Sequence, residues 1–465
     1  MRYMYDLQNR WKIEGNKLVY YGLRNVPDLL HNEIKISYRQ KRILSRLPCE
    51  LTTDEIRDLK SLFKTQVVEI SQKRKTPTSF KEAKFCTSCV ANDFMIPGLE
   101  FDRNGKCPMC QTAKETEKLK SVVPIKNTFS RSKKSRFDVA VFYTGGKDST
   151  YLLYYLSKVQ NLRVLAMTWE IPYLSDSAKQ SIENAKKTLK NVEFITRKIS
   201  DSDLKKIYRK LYELSGNTCA CPSLAYVLFY PEMVANRIPY FVVGNEPVQM
   251  LGLYYNHMAP KISYSFGDNK LMNVFFSIGR ILTFRPPLKR GQFHTLATMK
   301  QLAYGDSFLK KISGYDNELV SNVVTSIKEV PEILKPLKHS IRSSSFTGNI
   351  PAFVQVDFDK VNGSKYDWKK VQEIIKNECG WVAPNKSEKG LHTSCNIEKC
   401  KEHTQFLRFY QMKTRMIPFS ALEISLASRN KNVTRENALA ELKESLGFTL
   451  NDIDECKTMQ EYLES

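Results

Sequence analysis

Between residues 137 and 246 short apolar runs alternate with stretches of helical period. FDVAVFY (137–143), RVLAMTW (163–169), NVEFITRKI (191–199) and IPYFVVGNE (238–246) read as strands. TYLLYYLSKV (150–159), DSAKQSIENAKKTL (176–189), DLKKIYRKLYELS (203–215) and residues 223–236 read as helices between them. Strands whose apolar residues run on without alternation, separated by helices of this length, predict a parallel sheet covered on both faces. Ligands in such sheets bind beyond the carboxyl ends of the strands. Thr144–Ser149, Trp169–Glu170 and Gly244–Glu246 all fall at such ends.

Outside this block the pattern changes. WKIEG and KLVYYG predict short strands around a glycine turn, and TTDEIRDLKSLFKTQ (52–66) has a threonine cap and an acidic first turn, which predict a helix. SQKRKTPTS (71–79) reads as a basic linker. Beyond residue 285 the pattern weakens, with helices predicted at 366–377 and 434–446. The expected units are an α+β extension over 1–80, a Cys-rich module over 84–117, an α/β body over 137–285 and a mainly helical region over 286–465. The extension reads as a structural addition, or as a unit resembling the peptide-recognition domains of peptide-modifying enzymes.

The chain has 465 residues and 42% hydrophobic content, which excludes a wholly disordered protein. Its net charge of +23 suggests a polyanionic partner or substrate. Seven of its basic residues, and no acidic one, lie between Lys118 and Arg136, as an exposed hinge or an anion-facing patch. The N-terminus lacks an apolar signal core and no apolar run approaches the length of a membrane span, so a cytoplasmic protein is expected.

The chemistry concentrates in two places. In VAVFYTGGKDSTYLL, Gly145 and Gly146 permit a tight turn that exposes backbone amides at the start of a helix, an arrangement that favours phosphate. Lys147 adds positive charge, Asp148 suits Mg²⁺ beside phosphate oxygens, and Thr144, Ser149 and Thr150 offer hydroxyls. The spacing fits neither the Walker A nor the dinucleotide glycine pattern. In the second place, Cys86-x2-Cys89 and Cys107-x2-Cys110, with 17 residues between the pairs, have the spacing of a closed Zn²⁺ site, Gly105 allowing the turn before the second pair. A [4Fe–4S] cluster or a redox thiol set is the alternative.

The loop resembles the S-G-G-x-D-S loop of the PP-loop ATP pyrophosphatases, the adenine nucleotide alpha hydrolase-like superfamily, with Thr144 in place of the first serine. That resemblance implies a HUP-like parallel-sheet catalytic domain that splits ATP to AMP and pyrophosphate while adenylating a substrate oxygen. The Cys pairs directly before the loop, CACPSLAYVLFYPEMVANRIPYFVVGNEP (219–247), FLRFYQ (406–411) and TRENALAEL (434–442) are similar to segments of the N-acetyl sugar amidotransferases. Those enzymes convert an acetamido to an acetamidino group with ammonia from a partner glutaminase. The resemblance covers about 84–280 and 400–445 and implies an anionic or amide-bearing acceptor. It departs at Gly244–Asn245, where the family has Gly-Glu and this chain has Glu246 one place later. The acyl acceptor or the nucleophile is therefore open, and Glu246 and Asn245 are expected to face the acceptor.

Sulfur transfer from a donor protein, giving a thioamide or a thiolated tRNA, is the competing reading. It would use Cys219 and Cys221 as reactive thiols or cluster ligands. His392, Cys395, Cys400 and His403, within 12 residues, form a candidate second metal set. His257 reads as a polar loop residue, with a base role as the alternative. A non-catalytic zinc-bearing module with a vestigial loop, and a nucleic-acid-binding enzyme, complete the alternatives. The oligomeric state is not specified by the sequence.

Overall fold

The computed structural model describes residues 3–24, 32–70, 75–216, 220–266, 269–305, 318–384, 390–391 and 394–465. The N-terminal extension carries two three-stranded antiparallel sheets. One joins β1 (Met4–Leu7) to β5 (Cys49–Glu50) and β6 (Val68–Ile70), and the other is β2 (Trp11–Glu14), β3 (Lys17–Tyr20) and β4 (Glu33–Lys35). The helix expected over 52–66 forms as two pieces, Thr53–Asp58 and Lys60–Lys64, the first capped by Thr52. The extension is tied to the body by Arg10. Its guanidinium donates to the carbonyls of Phe409 and Tyr410, each at 2.7 Å, and so closes the C-terminal end of the helix Glu398–Tyr410.

The body holds a five-stranded parallel sheet. Its strands are β7 (Val139–Phe142), β8 (Val164–Trp169), β9 (Val192–Arg197), β10 (Tyr240–Val243) and β11 (Ala352–Phe353), in the order β11-β10-β7-β8-β9. Alternate residues go to opposite cores. Val139, Val141, Val164 and Ala166 enter a core with the helices Lys147–Tyr154, Asp176–Thr188, Trp368–Cys379 and Phe419–Asn430. Ala140, Phe142, Leu165 and Met167 enter the other, with the helices Asp201–Ser215, Cys221–Ala235 and Leu334–Thr347. Both faces are therefore apolar, which is why these strands read as continuous runs. β11 has only two residues, too short for a periodic signal, and brings a strand from the region expected to be mainly helical.

From β7 the chain winds to β8 and β9 on one side, then returns to place β10 on the other side of β7. The strand order reverses between β7 and β10, and ligand crevices open at such a switch point. Both loops that leave these two strands, 144–146 and 244–246, meet there. The approach is close enough that a Cβ at Gly244 would lie 2.6 Å from the Ser149 amide nitrogen.

Gly244→Ala is accordingly expected to destabilise the fold by about 1–3 kcal/mol through this overlap with backbone. Gly279→Ala, in an open helix position with nothing within 4 Å, is expected to be stabilising by about 0.5–1 kcal/mol. Urea unfolding of the two variants checks the pair, and equal effects would contradict the close approach.

Candidate functional site

The loop after β7 is shaped by its own side chains. Gly145 has φ +72°, and a Cβ there would lie 2.5 Å from the Ala178 carbonyl oxygen. The Thr144 hydroxyl lies 3.2 Å from Ser149 Oγ and accepts from the Gly146 amide at 3.4 Å. Thr150 Oγ1 donates to the Gly146 carbonyl at 2.8 Å, and Trp381 Nε1 donates to the Gly145 carbonyl at 3.1 Å. The helix Lys147–Tyr154 begins at Gly146 with no side-chain cap. Its neighbour Asp176–Thr188 is capped by Ser175, whereas no side chain caps the loop helix, whose start is left open toward an anion.

Lys147 points inward. Its ammonium is 1% exposed, ion-pairs with Asp148, and stands 3.7 Å from Glu246. The rings of Tyr366 and Trp368 close over it, each centroid at 4.8 Å. Tyr366 donates to Asp148 Oδ1 at 2.8 Å, and Trp368 Nε1 donates to both oxygens of Glu246 at 3.0 and 2.9 Å. Gln249 donates to Glu423 at 2.9 Å, and Asn432 reaches Glu246 at 3.4 Å. The charge expected to face a phosphate thus sits in a closed pocket, between Asp148, Glu246 and two aromatic faces. Glu246, expected to face an acceptor, is fully buried in the same pocket. The Asn245 carbonyl accepts from Gln355.

Burial pushes the Glu246 carboxyl up to about 7, Lys147 pulling it down and Asp148 pushing it further up. Burial, then Glu246, raise Glu423 well above the ordinary carboxylate range. Burial works against the Lys147 charge, but Asp148 and Glu246 outweigh it and hold its pKa above the ordinary lysine value. The pocket therefore combines a fixed cation with carboxyls that retain protons near neutrality.

The four cysteines of the module converge as their spacing predicts. Cys86, Cys89, Cys107 and Cys110 bring their sulfurs within 4.8 Å of one another, with Cys86–Cys110 at 3.8 Å and Cys89–Cys107 at 3.7 Å. Four thiolates around one metal ion at about 2.3 Å would stand about 3.8 Å apart, so the set fits a single tetrahedral ion. Four thiolates that each cap a different iron of a cubane stand farther apart than this. Among the described residues no other His, Cys, Asp and Glu side chains form such a group.

The remaining candidates divide. Cys219 and His392 lie outside the described residues. Cys221 starts the helix Cys221–Ala235, whose Tyr226 ring lies 5.2 Å from that of Phe142 at the end of β7. The helix is about 22 Å long and leads directly into β10, which puts Cys221 at the carboxyl rim of the sheet. Cys395 bridges to Leu174, at the same rim. Cys400 and His403 meet a residue that spacing did not single out, Cys456. Its sulfur lies 2.9 Å from that of Cys400 and 3.7 Å from His403 Nδ1. Cys400 and then His403 hold the Cys456 thiol down to about 5, against burial. His257 is half-buried, contacts Asn32 at 3.2 Å, and is pushed down to about 4 by burial, which keeps it neutral at neutral pH.

Part of the basic run makes contacts. Lys120 pairs with Asp357 at 3.0 Å, Lys126 lies over Tyr240 at 5.0 Å, Arg131 donates to the Asn161 carbonyl and Arg136 pairs with Glu193. Near the start of the run, just beyond β11, Ile125 bridges to Gln355.

Tyr366, Trp368, Trp381, Gln249, Glu423 and Asn432 were not singled out from the sequence. A Tyr-Asp-Trp at a helix start is an ordinary amphipathic beginning, and nothing local tied it to a loop 218 residues earlier.

No family model matches the chain, and no curated protein matches it. Among solved structures it aligns with the U34-tRNA thiolase NcsA from Methanococcus maripaludis with its [4Fe-4S] cluster. The alignment has 16% identity and a TM-score of 0.22, and covers 56% of this chain and 86% of that one. A likeness at that score bears on neither fold nor function.

The pocket makes a pH prediction. In the fold Glu246 keeps its proton up to about 7, against an ordinary value of 4.5, so the stability it contributes is fully present below pH 4.5 and is lost as pH rises through about 7. Relative to Glu246→Gln, the unaltered protein is expected to lose a few kcal/mol across that window in urea unfolding. Parallel pH profiles would mean that Glu246 stays ionised on Lys147.

Proposed function

We propose that the chain is an ATP pyrophosphatase of the PP-loop kind, which activates an amide or carboxyl oxygen and then transfers nitrogen to the activated carbon. The observation that carries the reading is the uncapped helix start at Gly146, set by two glycines at the point where the strand order reverses. The amides of the loop would cradle the phosphates of ATP. Asp148 fits a Mg²⁺ ligand because both of its described donors, Lys147 and Tyr366, meet Oδ1 and leave Oδ2 to a ligand. Mg²⁺, when bound, would offset the charge that develops on the phosphates.

Lys147 acts in this reading as a positioning residue, fixing Asp148 and Glu246 rather than touching phosphate. The substrate oxygen attacks the α-phosphate and pyrophosphate leaves; the adenylated carbon then takes ammonia, and AMP leaves. Adenylation is required because an amide oxygen is otherwise a poor leaving group. The cysteine module takes the role of a structural Zn²⁺ site, closed by its four thiolates. Sulfur transfer is the second reading, supported by Cys221 and Cys395 at the carboxyl rim beside the same crevice.

The test uses the full chain with Mg²⁺, ATP and an acetamido sugar nucleotide, with ammonium or sulfide as nucleophile. Acceptor-dependent pyrophosphate release is expected, and mass spectrometry of the product separates an imino gain from a sulfur gain. Asp148→Asn is expected to slow release by about 100-fold or more, while Cys221→Ser should leave it unchanged if nitrogen is transferred. If Mg²⁺ and ATP fail to bind by calorimetry, the pyrophosphatase reading falls as a whole.

A further inference from the structure

The helix Lys270–Ile281 presents an apolar stripe outward. Leu271, Val274, Phe275, Ile278, Ile281 and Leu282 repeat at helical spacing, and they are 53–81% exposed. Phe284, just beyond, is 92% exposed. The helix is held from its other side. Phe276 stacks on Phe293 at 4.4 Å, and Arg280 donates to the carbonyls of Pro286 and Ser345 at 2.7 and 2.6 Å. The stripe is therefore a fixed outer face rather than a frayed segment that has lost its core contacts.

Beside it lies a cationic cleft of about 380 Å³ lined by Arg285, Lys300 and Arg342, with Phe346 at its edge and no Asp or Glu in its lining. Burial, and then Arg285 and Arg280, lower the Lys300 pKa, as expected where like charges crowd without a counter-ion. From 269 to 305 the sequence has six Lys and Arg and no Asp or Glu.

We propose that this face is a membrane-binding surface, on which the helix lies in the plane of an anionic bilayer and the cleft receives a lipid phosphate headgroup. The two features fit one occupant. The stripe needs an apolar phase, and the cleft beside it needs an anion, the two layers that a charged bilayer offers at its boundary. Nucleic acid supplies phosphate but no apolar layer for these side chains. A second copy meeting the same face would bring two cationic clefts together. Among the described residues no helix is long and apolar enough to cross a membrane, so the contact is peripheral. The inference does not depend on the chemistry proposed above.

The experiment is co-sedimentation of the full chain with vesicles of phosphatidylcholine, alone or mixed with phosphatidylglycerol. Binding to the anionic vesicles is expected to be at least about tenfold tighter and to weaken with salt. Phe275→Ser with Phe284→Ser should abolish it, while Arg285→Glu with Lys300→Glu should remove only the anionic preference. Phe284→Trp should shift its emission to the blue on binding. Circular dichroism of each variant checks that the fold is intact. Equal binding to both vesicles, or none, overturns the proposal. So does a dimer in solution that the Phe variants dissociate, or RNA binding that they leave unchanged.

Discussion

A single buried charge organises this protein. The Lys147 ammonium comes from the first turn after the β7 loop, and its partners come from three separate parts of the chain. Asp148 is its neighbour, Glu246 follows β10, and Tyr366 and Trp368 belong to the segment after β11. A buried cation without partners is so costly that all three must be in place for the loop to hold its shape. The same requirement explains why the two strand ends can approach until only glycine fits at position 244.

The pocket around that charge is not a simple ion pair. One cation faces Asp148, Glu246 and Glu423, and burial pushes the two buried carboxyls toward their protonated forms. Asp148 is the most exposed of the loop's charged pair, at 18% against 1% for Lys147. The cluster therefore presents one carboxylate toward the crevice and hides the rest. In the proposed reading that asymmetry would make Asp148 the residue through which the pocket meets a ligand, with Lys147 and Glu246 behind it.

The parts legible in the sequence are those encoded locally. The loop is six consecutive residues between a strand and a helix, the cysteine pairs announce themselves by spacing, and β7, β8 and β9 are apolar runs because both faces of the sheet are covered. What escaped is encoded at a distance. Arg10 closes a helix some 400 residues away, β11 is two residues long, and Tyr366 and Trp368 look like any helix start. Lys147 shows the limit most clearly. Its type and position suggested phosphate, but the direction of its side chain is set by aromatic rings that no local pattern links to it.

The cysteine module reaches the pocket without touching it. The Met109 carbonyl, between Cys107 and Cys110, accepts from Arg429 at 2.9 Å. Tyr255 meets the Thr112 hydroxyl at 2.7 Å and also lies 3.4 Å from Arg429. Tyr255 ends the helix Pro247–Tyr255, which begins directly after Glu246, and Arg429 ends the helix that carries Glu423. Both buried carboxyls thus sit on helices whose far ends are braced by the module. In the proposed reading a metal ion would hold the four sulfurs, which lie within 4.8 Å of one another, together as thiolates. A metal there would act on the site through helix position, setting where Glu246 and Glu423 stand around Lys147 while remaining outside the chemistry itself.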